Sequence, residues 1–327
     1  MYLYSLTWQS YGRRGRRQDG QTATILDCDL TVAILEGDEV EKLIIEAAIN
    51  EQSPKDANPH VPYSVEECVE EAIRCADAGA AIVHFHARDP VTGRLITPGT
   101  DVYLAAMQAI LRERPDVLLY PTYSPSDRFV HIEALAADPD VGLRVATIDP
   151  GAMNFSRFDA TTNEIHGDLP FVISHADCAL FFDICGRHGI RYSVVVREPG
   201  QVRMTVAYHR SGLIHGKLFF KVNLADDMLF GLPPSPEAAD TYIRLVPADI
   251  PCSWMNYTYG PSHWAMTRHA IQTGAHVRTG LGDNPVDVDG ARPTNEELVR
   301  RVADLASELG RDLATPKQAL DILDGGS

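Results

Sequence analysis

From residue 43 onward the apolar positions fall into short unbroken runs, and between the runs the pattern changes to the three-to-four-residue spacing of an amphipathic helix. The runs are LIIEAAI (43–49), AAIVHFHA (80–87), VLLYPT (117–122), LRVATID (143–149), RYSVVV (191–196), KLFFKV (217–222), CSWMN (252–256) and HVRTGL (276–281). Each has the length and β-branched or aromatic character of a buried strand. Helices are predicted near 64–78, 100–114, 127–137, 174–188, 199–211, 235–246, 261–273 and 294–309. Two of them open on a Ser/Thr-x-x-Glu capping box, SVEE at Ser64 and TNEE at Thr294.

Eight strands that are apolar on both faces, each followed by a helix, imply a parallel sheet covered by helices, and eight such units close a barrel. A doubly wound open sheet is the rival, but it places a glycine-rich phosphate loop after the first strand. The corresponding segment here, AAINEQSPKD, contains no glycine. The expected fold is therefore an α/β (β/α)8 TIM barrel over residues 43–327, preceded by an N-terminal extension over 1–42. The extension carries GRRGRR, read as a solvated loop, and a strand or two around TATILDCDLTVAIL. It is expected to cover the bottom of the barrel or to contact another subunit.

Composition narrows the class further. The 327 residues are 45% hydrophobic and 23% charged, the balance of a globular chain with one large core. No apolar stretch reaches the ~18 residues of a membrane span, and Met1 is not followed by the basic and apolar regions of a secretory leader. Six cysteines show no C-x-x-C or zinc-finger spacing. Cys68/Cys75 and Cys178/Cys185 each lie seven apart on a helical face, so they read as buried free thiols, and a cytoplasmic location is expected. A formal charge of −16 excludes general affinity for nucleic acid or anionic membranes. An anionic substrate would need a local basic group.

In a barrel the chemistry gathers at the C-terminal strand ends. The second strand ends in IVHFHAR, where His84 and His86, two apart, project from one face and suit a divalent metal. Hydrogen-bonded core histidines are the plainer alternative. Glu46 lies inside a wholly apolar run, where a carboxylate needs a metal or a cation nearby. Glu51 follows in the loop after that strand and is a candidate catalytic residue, with a solvated loop carboxylate as the plainer alternative. In GAHVRTGLGDN, Arg278 and Asp283 flank a glycine-bearing turn, and the pair could bind an acid and position a general base, or be a structural salt bridge. Thr122 and Ser124 at the third strand end, and Thr147 and Asn154 near the fourth, offer hydroxyl and amide groups to a substrate.

With these residues in place the chain resembles the β-keto acid cleavage enzyme family. The similarity runs from about Leu43 to Leu323 and is carried by AAINEQSPKDANPHVPYSVEE, CADAGAAIVHFHARD, VLLYPT, ATIDPGAMNF, GAHVRTGLGDN and TNEELVRRVADLASELGRDLATP. The resemblance implies a TIM barrel with one zinc ion, assembled as a homotetramer or larger. It further implies condensation of a β-keto acid with acetyl-CoA to give acetoacetate and a new acyl-CoA. His84 and His86 match the zinc-binding pair, and Asp283 with Arg278 matches the pair that activates the keto acid. Thr122 and Thr147 fall where hydroxyls contact substrate, and Glu51 lies near a substrate-contacting glutamate. Two departures stand out. Gly282 replaces a glutamate that ligates zinc in the family's G-x-E-D-N, and SVVVREPG replaces an acidic E-x-E-x-F-D stretch on strand five. Because the first and eighth strands of a barrel are neighbours, Glu46 is the expected third ligand, with pairing to Arg278 as its rival.

Two other functions are consistent with the same residues. A metal-dependent hydrolase or aldolase of this barrel type would act without coenzyme A. A non-catalytic binding protein descended from an enzyme would not be expected to keep His84, His86, Arg278 and Asp283 together.

Overall fold

The computed structural model describes residues 41–123 and 127–325. The GRRGRR run, the strands expected within the extension, Cys28 and Ser124 lie outside them. Eight parallel strands form the barrel: β1 (Ile45–Ala48), β2 (Ile82–Phe85), β3 (Leu118–Pro121), β4 (Val145–Ile148), β7 (Arg191–Val196), β8 (Leu218–Ala225), β9 (Cys252–Tyr259) and β10 (His276–Thr279). Their order, β3-β2-β1-β10-β9-β8-β7-β4, brings first and last together and gives a nearly closed (β/α)8 TIM barrel. In that register Glu46 stands opposite Arg278 and Ala48 opposite His84.

Every residue of β1, β2, β3, β4, β8 and β10 is buried, as strands enclosed by helices must be. The helices between them are α1 (Val65–Asp77), α2 (Thr100–Glu113), α3 (Val130–Ala137), α4 (His175–His188), α5 (Pro199–Arg210), α6 (Pro236–Arg244), α7 (His263–Gln272) and α8 (Asn295–Glu308). Both expected capping boxes form: Ser64 accepts from the Glu67 amide and Thr294 from that of Glu297, each satisfying an N–H that the first helical turn leaves free. Cys68, Cys75, Cys178 and Cys185 are buried free thiols. Among the described residues no helix is long and apolar enough to cross a membrane.

Among the described residues, three elements go beyond the eight strand–helix units that the apolar pattern predicts. An antiparallel hairpin, β5 (Gly151–Asp159) with β6 (Glu164–Ile173), is inserted between β4 and α4. A final helix, α9 (Pro316–Asp324), starts on a capping box at Thr315 and brings Leu323 to the small cavity beside Glu46, Tyr120 and Lys221.

At the start of β10, His276 is fully buried and its Nδ1 accepts from the Ile44 amide at 3.1 Å. The proton therefore sits on Nε2, which faces Glu41 Oε2 at 3.5 Å. Burial pushes His276 down to about 4 from 6.5, against the partial pull of Glu41. A histidine depressed on folding contributes its full stability above the unfolded value and loses it as pH falls from about 6.5 towards 4. Acidification from pH 7 to 4 is therefore expected to cost roughly 3 kcal/mol through this residue. Denaturant unfolding of His276→Asn over that range should show the pH dependence reduced by a comparable amount. An unchanged slope would assign the acid sensitivity elsewhere.

Candidate active site

The site is built at the C-terminal ends of β1, β2 and β10. His84 is the penultimate residue of β2 and His86 follows the strand, with ring centroids 5.0 Å apart. Asn50, just after β1, holds the second histidine by its backbone: its amide donates to His86 O at 3.0 Å, and its oxygen accepts from His86 N at 2.8 Å. Arg88 then fixes the first loop, donating to Asn50 O at 3.1 Å and Ser53 O at 2.6 Å, with its guanidinium 4.1 Å from the Tyr63 ring centre. This loop carries Glu51 into the barrel mouth.

Glu51 Oε1 lies 3.0 Å from His84 Nε2, and Oε2 lies 2.7 Å from His86 Nε2. Donor atoms of Glu51, His84 and His86 all fall within 4.8 Å of one another. His84 Nδ1 is 3.1 Å from the Tyr120 carbonyl, which can only accept, so Nδ1 carries the proton in the neutral ring. That leaves the Nε2 lone pair directed at a carboxylate oxygen, two acceptors facing each other. Burial pushes His84 down to about 4, with Glu51 opposing only in part, so a proton does not fill the gap at neutral pH. For Glu51, burial raises the carboxyl but His86, Arg278 and His84 outweigh it, and it stays ionised. A divalent cation fits this donor set of two imidazoles and one carboxylate.

Arg278 on β10 is the centre of the adjoining charge cluster. It grips Asp283 in a fork, Nε to Oδ2 at 2.9 Å and Nη2 to Oδ1 at 2.7 Å, and its Nη2 also donates to Glu51. Its guanidinium lies 4.5 Å from the Tyr257 ring centre. Burial lowers Arg278, yet Asp283 and Glu51 hold it well above its usual value. Burial, together with the nearby Glu51 and Glu46 charges, raises Asp283 against the pull of Arg278, so this carboxylate is a stronger base than an exposed one. The first glycine of the turn, Gly280, has φ +141, and its carbonyl accepts from the Asp283 and Asn284 amides at 3.1 and 3.0 Å.

Glu46, expected as the third metal ligand, points elsewhere. Its Oε2 accepts from Lys221 Nζ at 2.6 Å and its Oε1 from Tyr120 Oη at 2.5 Å, with Arg278 Nη1 at 3.5 Å. The rival pairing with Arg278 is present as the longest of these contacts, and Lys221 is the principal partner. The carboxylate that reaches the histidines is Glu51. Lys221 also donates to Tyr120 Oη at 2.8 Å, and the Tyr120 ring stacks on His84 at 4.2 Å, so the buried pair is joined to the histidine site. Burial raises Glu46, but Lys221 and Arg278 more than offset it. Burial lowers Lys221 against the pull of Glu46.

The expected substrate contacts are dispersed. Thr147 is buried on β4, with its hydroxyl accepting from Ser193 Oγ at 3.1 Å. Thr122 lies just past β3, its carbonyl 2.6 Å from His131 Nε2. Asn154 is exposed on the hairpin, opposite Pro170. A polar group not foreseen is Arg197 at the end of β7, where the resemblance expects acidic residues. It pairs with Asp149, donates to Asn223 Oδ1 at 2.8 Å, and donates to Tyr257 Oη at 3.1 Å. Tyr257 thus stands between Arg197 and Arg278. The lone Arg in VVVREPG and the lone Lys in LFFKV were the available signals for Arg197 and Lys221.

A parallel barrel with two histidines, a carboxylate and an arginine–aspartate pair gathered at its C-terminal mouth has the architecture of a barrel enzyme, whose chemistry lies at that end of the strands. The chain belongs to the β-keto acid cleavage enzyme family, whose profile matches residues 42–324. It is 32% identical over 286 residues to a 3-keto-5-aminohexanoate cleavage enzyme of Fusobacterium nucleatum, covering 87% of this chain and 98% of the relative. A 3-oxoadipate:acetyl-CoA acetyltransferase of Cupriavidus necator is 25% identical, with 86% and 94% covered. Among solved structures, apo ObcA superposes with a TM-score of 0.61 at 21% identity, covering 81% of this chain and 65% of that one, a likeness of fold. The protein is an enzyme of this β-keto acid cleavage and acyl-transfer kind.

Proposed function

We propose that the protein condenses a β-keto acid with acetyl-CoA and cleaves the adduct to acetoacetate and a new acyl-CoA, with a divalent metal, zinc by preference, held by His84, His86 and Glu51. The observation that carries the metal is the convergence of His84 Nε2 and His86 Nε2 on the two Glu51 oxygens at 3.0 and 2.7 Å, with His84 Nδ1 turned to the Tyr120 carbonyl. Charge supports it: Glu46, Glu51 and Asp283 face Lys221 and Arg278, leaving one negative charge in a buried mouth that is to receive an anion. When bound, the ion supplies Lewis-acid polarisation of the keto oxygen. Asp283, fixed by Arg278, takes a proton from the carbon between ketone and carboxylate. That carbon attacks the acetyl carbonyl and the coenzyme A thiolate leaves. Thiolate addition to the original ketone then breaks the old carbon–carbon bond, and the departing acetoacetate carbanion recovers the proton from Asp283. Arg278, freed in part from Glu51, stabilises the enolate oxygen or the substrate carboxylate. Thr147, Thr122, Ser124 and Asn154 remain candidates for substrate contact. A cytoplasmic homotetramer, with residues 1–42 as an extension to a 43–327 catalytic barrel, fits the family.

The test is stoichiometry. Zinc-loaded protein is incubated with a panel of β-keto acids, with and without acetyl-CoA. Acetoacetate and a new acyl-CoA should appear in equal amounts, one of each per acetyl-CoA consumed. Keto acid cleaved at the same rate without acetyl-CoA would favour the aldolase or hydrolase reading.

A further inference from the structure

The loop after β1 and the loop after β10 meet beside the histidines, and each carries the residue that backbone preference would give to the other. Glu51 has φ +37, a left-handed conformation that glycine or asparagine adopts more readily than glutamate. Gly282, facing it, has no such conformation: it is absent from the positive-φ positions, which do include Gly280 in the same turn. Conformation therefore explains neither residue.

Space explains Gly282. A Cβ built there would lie 2.5 Å from Glu51 Cγ and 2.8 Å from Ala48 O, separations that Cβ atoms essentially never show, and a tight 3.0 Å from Glu51 Cβ. The two loops cannot move apart freely. Gly282 N donates to Ala48 O at 2.9 Å, and Ser53 Oγ donates to Gly282 O at 3.1 Å, so the glycine is tied to both ends of the segment that carries Glu51. Asn295, at the start of α8, adds a third tie, accepting from Leu281 N at 2.8 Å and donating to Ile49 O at 3.2 Å.

We infer that Gly282 is a positioning residue for the metal site: the bare backbone at 282 is the space through which the Glu51 side chain reaches His84 and His86, so a side chain at 282 and a Glu51 carboxylate between the histidines are mutually exclusive. The metal-binding carboxylate of this chain is thereby a residue of the loop after β1, with its place conditional on a glycine of the loop after β10. This rests on the metal reading above, and the experiment separates the two.

Zinc affinity is measured by competition with a chromophoric chelator, and cobalt-substituted protein is examined by its visible ligand-field bands. The proteins are wild type, Gly282→Ala, Glu51→Gly and the double variant Glu51→Gly/Gly282→Ala, each with its denaturant midpoint. Gly282→Ala and Glu51→Gly should each weaken zinc by about 100-fold and reduce the cobalt bands, as expected for loss of one of three protein ligands. The double variant should bind no more weakly than Glu51→Gly, because no carboxylate is left to displace. Wild-type affinity in Gly282→Ala, or an equal further loss when it is added to Glu51→Gly, would overturn the inference, the latter assigning the effect to Ala48. If Gly282→Ala fails to fold, a double variant that folds supports the clash with Glu51, and one that also fails overturns it. Should wild type bind no ion, the metal reading falls, and the midpoints decide alone: Gly282→Ala lowered and the double variant recovered supports exclusion, while equal lowering in both backgrounds refutes it.

Discussion

Lys221→Met is expected to lose about 3–5 kcal/mol of stability, the usual consequence of removing one partner of a buried ion pair. Lys221 and Glu46 are 2% and 0% exposed, so bulk solvent does not reach the carboxylate to replace the missing ammonium. Glu46 would keep Tyr120 at 2.5 Å and the distant Arg278 at 3.5 Å, which is incomplete compensation for a charge in the barrel interior. The Coulomb gain of the pair is less informative than this asymmetry, since a buried pair replaced whole by apolar groups of similar volume is often nearly neutral. The double variant Glu46→Leu/Lys221→Met should therefore recover at least half of the loss. The rest reflects the Tyr120 hydroxyl, which then keeps only the long contact from Arg278 Nη1 at 3.4 Å, a cost of about 1–3 kcal/mol. Chemical denaturation of the three proteins at pH 7 tests this directly. A Lys221→Met loss below 1 kcal/mol would mean that Glu46 is readily held neutral, contrary to the ionised pair described here.

The barrel was legible because parallel strands covered by helices must be apolar on both faces, and eight such runs are hard to arrange otherwise. His84 and His86 were legible for a related reason: two-residue spacing on a strand places both rings on one side whatever the surrounding fold. The hairpin was not legible. Ile165, Leu169 and Val172 are exposed on it, so the segment does not show the alternation by which a half-buried strand is recognised. Glu46 announced its need for a cation, and the neighbouring first and eighth strands suggested Arg278 or a metal. The partner proved to be Lys221, 175 positions away on β8, because the interior of a barrel is shared by all its strands and local sequence does not rank them. The placement of Glu51 was not legible, since it has a φ of +37 and no residue pattern encodes that at a glutamate. The missing glutamate at 282 was visible as a departure, while its counterpart in the first loop required coordinates.

Asp283→Asn is expected to lower kcat by about 100-fold or more while leaving zinc content within a factor of two and KM for the keto acid little changed. The substitution preserves volume and leaves one oxygen to accept from Arg278, so the guanidinium stays in place, held also by Glu51 and Tyr257. What it removes is a carboxylate whose basicity is raised by burial and restrained by Arg278. Removal of a base that acts only on the way to the transition state falls on kcat, whereas removal of a binding group falls on KM. The competing account is that the fork between Arg278 and Asp283, at 2.9 and 2.7 Å, is a structural tie closing the loop after β10. It makes the opposite pair of predictions, a lower denaturant midpoint with turnover intact. Steady-state kinetics and unfolding on the same preparation separate them, and wild-type kcat in Asp283→Asn would remove the general base from the proposed reaction.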